Sequence, residues 1–172
     1  MSINTQPDVH ELVMIASIFV TKTNKILMIK RSDNKTYLPG YVQPIGGKVD
    51  LNECPLTAAK RELKEEANIE VADIKLKAVV TEIKSKRDDL YKTNWQVFHF
   101  SGKYEESNNN KIGTTDEGEL IWLTLEEIKK EKIADSIKLI INHILTEDDS
   151  LAFATYTYSE GNKLIKHNIE II

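Results

Sequence analysis

Acidic side chains cluster in one segment of the chain, residues 46–69, which reads GGKVDLNECPLTAAKRELKEEANI. Glu65 and Glu66 follow Glu62 by three and four residues, so an α-helix would place all three on neighbouring positions of one face. Like charges this close repel, whereas Mg2+ or a similar hard cation prefers oxygen ligands and would turn the repulsion into coordination. The spacing therefore indicates a metal site. The alternative is a solvated helix whose glutamates form ordinary ion pairs with nearby lysines.

The same segment predicts the elements that would hold these carboxylates. Gly46 and Gly47 lack a Cβ atom, so they allow a tight turn or let the backbone approach a ligand closely. A helix should begin near residues 53–55, since proline is tolerated at the first helical position. Arg61 would lie away from the glutamate cluster and would have to reach another carboxylate such as Glu53. The helix should face the core with a narrow apolar stripe, which consists of Leu56, Ala59, Leu63 and Ala67.

The rest of the chain predicts a mixture of strands and helices. Apolar and β-branched runs predict strands at residues 11–21, 25–30, 70–84, 93–102 and 116–125. Two further strands would form a hairpin within residues 151–172, which should join the main sheet because an exposed hairpin edge favours aggregation. Helical spacing predicts helices at residues 126–132 and 134–146. Charged or polar loops are predicted at residues 84–92 and 105–115.

The predicted strand at residues 93–102 is rich in aromatic side chains. Because strand side chains alternate between faces, Trp95 should share one face with His99 while Phe98 lies on the other. We expect His99 to be a structural residue with a local partner rather than a catalytic group. The single cysteine, Cys54, is expected to be half-buried and structural.

Composition limits the classes of protein to which the chain can belong. Its 172 residues fit a single domain, residues 1–172, with 41% hydrophobic and 29% charged side chains. A formal net charge of −4 argues against a nucleic-acid polymer as partner, since such surfaces are usually basic. No signal peptide or membrane span is visible, so no membrane partner is expected. One cysteine cannot form an internal disulfide, which fits a cytoplasmic location.

The spacing of residues 47–69 resembles the Nudix box of the Nudix hydrolase superfamily. The family pattern is written GX5EX7REUXEEXGU, in which U is aliphatic, and this chain matches every fixed position except one. Asn68 stands where the family has glycine. Asparagine is the non-glycine residue that most readily adopts the left-handed conformation closing a helix, so the departure should cost little.

The resemblance implies an α/β fold, a Nudix α/β/α sandwich with a mixed central sheet between helices. It also implies hydrolysis of a nucleoside diphosphate linked to another group, with Mg2+ as cofactor and Mn2+ as an alternative. Magnesium offsets phosphate charge and makes water more acidic, while a carboxylate accepts the proton during attack at phosphorus. The implied metal ligands are Gly46, through its carbonyl, and Glu62, Glu65, Glu66 and Glu117. The implied catalytic residues are Glu53, Arg61, Glu65 and Glu117, with Arg61 orienting a carboxylate.

Within the superfamily, the flanking segments resemble the MutT-type nucleoside triphosphatases, including the animal 8-oxo-dGTP diphosphatase. The loop GYVQPIGGKV presents an amide side chain at Gln43, and TDEGELIWL carries Glu117 just before a tryptophan-containing strand. Residues 151–172 resemble the closing hairpin of that enzyme. The implied substrate-binding residues are Gln43, Ile45, Gly46, Gly47, Lys48, Trp95 and Asp135.

The chain departs from these relatives where they read the base. Ala134 replaces one of two aspartates, which leaves Asp135 alone, and Asp135 could equally be the N-cap of the following helix. The aromatic residue that the relatives carry just before the aspartates is absent. Other platforms for a stacked purine would then be Tyr41, Trp95 and Phe98.

A nucleoside triphosphate, with an oxidised purine as one candidate, is the predicted substrate, and the predicted products are the monophosphate and pyrophosphate. ADP-ribose hydrolases of the superfamily commonly carry a proline beyond the box, but this chain has none after Pro55. Dinucleoside polyphosphate hydrolases commonly have a tyrosine there, for which Tyr91 lies rather far along. A non-catalytic nucleotide-sensing module would be expected to lose box glutamates, and all are present. The sequence leaves both a monomer and a homodimer open.

Overall fold

A mixed β-sheet of nine strands organises the described part of the chain, residues 12–84, 94–105, 115–159 and 162–172 of this computed structural model. The strands are β1 (Leu12–Lys22), β2 (Lys25–Arg31), β3 (Val42–Gln43), β4 (Ile45–Lys48), β5 (Val71–Lys84), β6 (Asn94–Tyr104), β7 (Gly118–Thr124), β8 (Ala152–Tyr158) and β9 (Leu164–Ile171). Their order is β3-β2-β1-β6-β5-β8-β9, with β4 paired to β1 and β7 to β2. The β1–β6 and β5–β8 pairs are parallel and the others antiparallel.

Helices cover both faces of the sheet. The three are α1 (Pro55–Ala67), α2 (Leu125–Ile128) and α3 (Asp135–Ile144). On one face, Leu63 of α1 packs into a core with Ile18 and Leu27. On the other, Ile140 of α3 packs with Phe19 in a second core. The predicted α/β/α sandwich with a mixed sheet is therefore confirmed.

Strand β1 lies at the centre of this arrangement. Its residues 16–20 are all buried, because a helix layer covers each face and no position can point to water. Strand β4 runs antiparallel to β1 and sets Gly46 opposite Ser17 and Gly47 opposite Ala16. This pairing delivers the chain to α1 directly above the sheet.

The helices differ from prediction at several positions. Leu56 was expected in the buried stripe of α1 but is 37% exposed, and Ala58 is buried instead. The expected helix at residues 126–132 is only the four-residue α2, closed by a capping box between Thr124 and Glu127. Asp135 was considered as an N-cap, which is wrong, because Ala134 occupies that position and Asp135 is the first residue of α3. A short propensity pattern could not locate these ends, since burial and local hydrogen bonds decide them.

The hairpin at residues 151–172 joins the main sheet as predicted. Strand β8 pairs in parallel with β5, and Tyr156 is completely buried in the core beneath α3. Strand β9 pairs with β8 and ends the sheet. The predicted loops at residues 84–92 and 105–115 lie almost entirely outside the described residues. Across the described parts of the chain, no helix combines the length and the apolar character needed to cross a membrane.

Candidate active site

A cavity of about 520 Å³ opens between the α1 end of the sheet and the loop that precedes β3. Backbone and side chains of β1, β4 and β6 form its floor. Glu66 interacts electrostatically with Glu62 and Glu117. Glu82 instead lies near Tyr37 and Tyr41, with which it also lines a neighbouring depression. The cavity therefore combines a charged end with an aromatic end. The acidic residues in its wall are Glu62, Glu66, Glu82 and Glu117, and the large aromatic ones are Tyr37, Tyr41 and Trp95.

Arg61 ties the carboxylates around α1 together. Its Nη2 donates to Glu53 Oε1 at 2.7 Å and its Nε to Glu53 Oε2 at 3.3 Å. Its Nη1 donates to Glu62 Oε1 at 2.9 Å and Glu65 Oε2 at 3.2 Å, and Nη2 also donates to the Lys48 carbonyl at 3.0 Å. Arg61 thereby fixes the start of α1 against β4. The expectation that it reaches Glu53 is met by this geometry.

Glu53 and Glu62 experience opposite environments although both contact Arg61. The pKa of Glu53 is lowered by the Arg61 guanidinium and by the Asp50 amide, which donates to Glu53 Oε1 at 2.8 Å. The pKa of Glu62 is raised, because burial outweighs the attraction of Arg61. Glu53 is therefore held in its ionised form, whereas burial disfavours the ionised form of Glu62 despite its hydrogen bond with Arg61.

Glu66 has a buried carboxylate whose pKa is strongly raised. Burial, together with the charges of Glu62 and Glu117, raises the pKa of its carboxyl group to about 7. The Gly46 amide donates a hydrogen bond to the carboxylate, but Glu66 Oε2 is buried without a hydrogen-bond partner among the described residues. A buried carboxylate oxygen without a partner is costly unless a cation or a proton meets it.

The two glycines of β4 make room for this arrangement. A Cβ atom on Gly46 would overlap the Ala16 carbonyl of β1, so a side chain there would break the strand pair. A Cβ atom on Gly47 would overlap Glu62 Oε1. Gly47 therefore lets the Glu62 carboxylate approach the backbone. The sequence predicted that the glycines would let a ligand approach closely, and in the structure the group that approaches Gly47 is the protein's own Glu62.

Glu117 reaches the cavity from the residue before β7. Its carboxylate pairs with Lys35 Nζ at 2.7 Å and Arg31 Nη1 at 3.1 Å. These two cations lower the pKa of Glu117 despite partial burial, with Lys35 contributing most. Arg31 lines the cavity wall, so a positive charge lies beside the carboxylates.

The residues expected to bind a metal ion do not all lie together. Across the described residues, no three Asp, Glu, His or Cys side chains converge closely enough to form a preformed metal cage. Glu62 and Glu66 both line the cavity and interact electrostatically, and Glu66 has the unpartnered oxygen. Mg2+ is usually bound by one or two carboxylates together with substrate phosphates and water, and two carboxylates of this kind are present. The donor set therefore fits a magnesium ion that binds with its substrate.

The apolar end of the cavity is built by aromatic residues from separate elements. The rings of Tyr37 and Trp95 lie 6.0 Å apart, tilted by 46°. Lys132 Nζ lies 4.8 Å from the centre of the Tyr41 ring. Gln43 lines the same space, as expected for a group that would meet a base. Tyr37 was missed from the sequence, because it lies in a loop without periodicity.

His99 and Ser17 form a buried pair on the cavity floor. Ser17 Oγ lies 2.7 Å from His99 Nδ1, across the parallel pair of β1 and β6. Burial lowers the pKa of the imidazole to about 4, so the ring is neutral at pH 7. Phe19 packs edge-on against it at 5.8 Å. The expected structural role with a local partner agrees with this geometry.

Several predicted site residues lie away from the cavity. The Ile45 side chain is fully buried in the α1-side core, so only its backbone could reach a ligand. Phe98 is also in that core, on the sheet face opposite Trp95, which excludes it as a platform. Asp135 lines a neighbouring depression and pairs with Lys138 at 3.1 Å. The side chain of Glu65 is 58% exposed and is held by Arg61 outside the cavity wall.

Glu82 and Ser136 were not anticipated and line the cavity from β5 and α3. Glu82 is largely buried and accepts a hydrogen bond from the Tyr158 hydroxyl at 3.3 Å. The signal available in the sequence was an acidic residue on the inward side of an otherwise apolar strand. Cys54 is also a correction, since it is exposed at the start of α1 with Sγ 3.3 Å from Thr57 Oγ1.

Comparisons with known proteins agree with this geometry. A model of the NUDIX domain matches residues 11–143. Among solved structures, the MutT protein from Bacillus halodurans superposes with a TM-score of 0.78 at 23% identity, over 92% of this chain and 97% of that one. A NUDIX hydrolase from Nitrosomonas europaea gives 0.62 at 20% identity, over 88% and 81%. The NUDIX domain of Shewanella oneidensis NrtR, complexed with ADP ribose, gives 0.56 at 18% identity, over 81% and 91%.

No curated protein sequence matches the chain. The family match covers well over half of the 172 residues, and the chain belongs to the NUDIX domain family. It is a Nudix pyrophosphohydrolase, an enzyme that hydrolyses a nucleoside diphosphate linked to another group.

Proposed function

We propose that this enzyme hydrolyses a nucleoside triphosphate to the monophosphate and pyrophosphate, with Mg2+ as cofactor and Mn2+ able to replace it. The observation that carries the proposal is the buried Oε2 of Glu66, which has no hydrogen-bond partner among the described residues, next to Glu62 in the cavity wall. A cation would balance both carboxylates there, and a phosphate chain would supply its remaining ligands.

Magnesium at this position would offset phosphate charge and make water more acidic. Glu62 and Glu66 would hold it, with the Gly46 carbonyl, Glu65 and Glu117 as the further ligands implied by the motif. Arg61 would keep Glu62 in position through its hydrogen bond of 2.9 Å. Arg31 and Lys48, which both line the cavity, would bind phosphate oxygens.

A carboxylate must also accept a proton from the attacking water. The candidates are Glu53, Glu65 and Glu117, of which Glu117 lines the cavity. Glu53 is engaged by Arg61 and Asp50, and Glu65 is held by Arg61. We assign the proton acceptor to Glu117 because it is the one of the three that lines the cavity. It would first have to be released from Lys35 and Arg31, which would happen if both cations turned to phosphate oxygens.

The base would bind at the aromatic end. Tyr37, Tyr41 and Trp95 offer ring faces, and stacking on such faces contributes about 1–3 kcal/mol per base. Gln43 offers both a donor and an acceptor, and the buried Glu82 offers acceptors for base N–H groups. An oxidised purine, which gains an N–H donor, suits this lining. Asp135 would contribute only if the base extended into the neighbouring depression.

We place the enzyme in the cytoplasm, where its nucleotide substrates occur and where an exposed thiol such as Cys54 stays reduced. The partner that the site requires is a small nucleotide. The solved NUDIX domain of NrtR with ADP ribose makes a diphosphate-linked sugar the alternative substrate.

The test is turnover of a panel that contains normal and oxidised nucleoside triphosphates, dinucleoside polyphosphates and ADP-ribose. Purified protein is incubated with Mg2+ or with a chelator, and the products are resolved by chromatography. Pyrophosphate and monophosphate from a triphosphate, formed only with the metal, are expected. Release of AMP from ADP-ribose as the fastest reaction would replace the proposed substrate class. No turnover of any diphosphate would overturn the proposed reaction.

A further inference from the structure

Strand β9 forms the last strand of the sheet, and its outer edge is open as far as the described residues show. It pairs with β8 on one side, and none of the strands within the described residues pairs with it on the other. An open edge presents a row of backbone donors and acceptors that can pair with another strand. Such an edge is either protected by its side chains or used for binding.

The backbone directions along β9 follow from its ladder with β8. Ile172 and Leu151 exchange two hydrogen bonds, at 2.9 and 3.0 Å. The ladder is regular from Lys166 to Ile171, so even-numbered residues direct their backbone groups towards β8. The backbone N–H and C=O groups of His167, Ile169 and Ile171 therefore point outwards.

The sequence of β9 is complementary to itself in one antiparallel register. When two copies pair about Asn168, Lys166 of each lies opposite Glu170 of the other. The same register sets His167 opposite Ile169, so that outward-pointing residues meet and can exchange hydrogen bonds. Shifting the centre to His167 would instead oppose Lys166 to Asn168 and lose both charge pairs.

The two faces of β9 fit this register as well. Lys166 and Glu170 pair with Thr157 and Phe153 of β8, on the face that points away from the core. On the other face, Ile171 is 59% exposed, and Ile165, where the β8–β9 ladder shifts register, is 62% exposed. Pairing about Asn168 would bring Ile165 of one copy near Ile171 of the other, so it would cover apolar surface as well as satisfy charges.

We propose that the protein forms a homodimer in which β9 pairs antiparallel with β9 of a second copy, centred on Asn168, to continue the sheet across a twofold axis. The interface is separate from the active-site cavity, since no residue of β9 lines that cavity. The proposal therefore stands independently of the substrate.

Charge reversal tests the interface through its symmetry. Sedimentation velocity of the full chain across a concentration series is expected to show a dimer of twice the 19.6 kDa chain mass. Lys166→Glu and Glu170→Lys should each weaken dimerisation about tenfold or more, because each places like charges opposite one another twice. The double variant should dimerise like wild type, and so should an equal mixture of the two single variants. Lys163→Glu, which alters the same charge just before β9, is the matched control and should leave the dimer unchanged.

A cysteine at the centre tests the register. In a Cys54→Ser background, Asn168→Cys should give a disulfide-linked dimer on mild oxidation, since residues opposite one another in a non-hydrogen-bonded pair have Cα atoms about 4.5 Å apart. Lys166→Cys, which would face Glu170, should cross-link far less. A monomer at all concentrations would overturn the proposal. So would a dimer that both charge reversals leave intact, or equal cross-linking at the two positions.

Discussion

Glu66 shows how one residue reports the chemistry of the site. Among the described residues, one oxygen of this buried carboxyl group has no hydrogen-bond partner, and two other acids lie nearby. The group therefore keeps its proton to a higher pH than an exposed glutamate, and its pKa is raised to about 7. In a protein without ligand this is a cost to the folded state, because the unfolded chain ionises at an ordinary pKa. A cation converts that cost into binding energy.

The stability of the protein should therefore depend on pH and Mg2+ together. Between the ordinary Glu pKa of 4.5 and about 7, the unfolded state has lost the proton that folded Glu66 keeps. This group consequently lowers the metal-free stability as pH rises through that window. Because the metal needs the ionised form, the rise in Tm on adding Mg2+ should be larger near pH 8 than near pH 6.

Glu66→Gln is the matched variant for this measurement, followed by differential scanning calorimetry. Removing the buried charge should stabilise the metal-free protein by about 1–3 kcal/mol near pH 8 and abolish most of the Mg2+ effect. An Mg2+ effect of the same size at both pH values, or in the variant, would exclude Glu66 as a ligand.

At residue scale, the sequence identifies acids by spacing but not by environment. The spacing of Glu62, Glu65 and Glu66 predicts three equivalent ligands on one helix face. The structure separates them, since Gly47 leaves room for Glu62 and burial surrounds Glu66, while Arg61 holds Glu65 outside the cavity wall. The surroundings of Glu62 and Glu66 come from β4 and other elements, which no periodicity within α1 encodes, whereas the Arg61–Glu65 pair follows the i,i+4 spacing of the helix.

The elements around the site are fixed largely by their ends. Helix α1 begins at Pro55, as predicted, and ends where Asn68 adopts φ 51° and ψ 38°, in the left-handed region. The backbone N–H of Asn68 donates a hydrogen bond to the Lys64 carbonyl at 3.0 Å. The predicted tolerance of asparagine at this position of the Nudix box thus agrees with its conformation.

Substitutions at Asn68 should follow backbone preference. Asn68→Gly should change the free energy of unfolding by less than about 0.5 kcal/mol, because glycine adopts this conformation without strain. Asn68→Ala should cost about 1 kcal/mol, since its Cβ crowds the carbonyl in the left-handed region. Urea denaturation measures both. Equal stabilities of the two variants would show that another contact decides this helix end.

The sequence did not predict the helix ends that depend on tertiary packing. Leu56 fits the apolar spacing of α1, yet it lies in the first turn of the helix and is exposed. Asp135 has the side chain of a typical N-cap, but Ala134 is the N-cap and Asp135 is the first residue of α3, where its carboxylate pairs with Lys138. Spacing locates the middle of a helix better than its ends.

At the scale of the molecule, the sheet topology creates the cavity. Parallel pairing of β1 with β6 brings Ser17 beside His99, 82 residues away, and antiparallel pairing of β1 with β4 sets Gly46 beside Ser17 on its other side. The Nudix box could be recognised because its residues are continuous in sequence. The aromatic end of the cavity was predicted only in part, through residues such as Trp95, because Tyr37, Glu82 and Trp95 come from three separate segments. The alternation of side chains along the strand predicted the sheet face on which Trp95 lies. Tyr37 lies in a loop without a periodic pattern, so the sequence could not predict its position.

The activity of three variants beside wild type tests whether the Glu62–Glu66 site performs the reaction. Pyrophosphate release from the preferred nucleoside triphosphate is measured with saturating Mg2+ for Glu62→Gln, Glu66→Gln and Glu126→Gln, with Tm recorded for each. Glu126 lies outside the cavity and pairs with Lys129, so its variant is the control. The first two should lose about a hundredfold or more of the rate while remaining folded, and the control should keep it. Wild-type rates in Glu62→Gln and Glu66→Gln would contradict catalysis at this site.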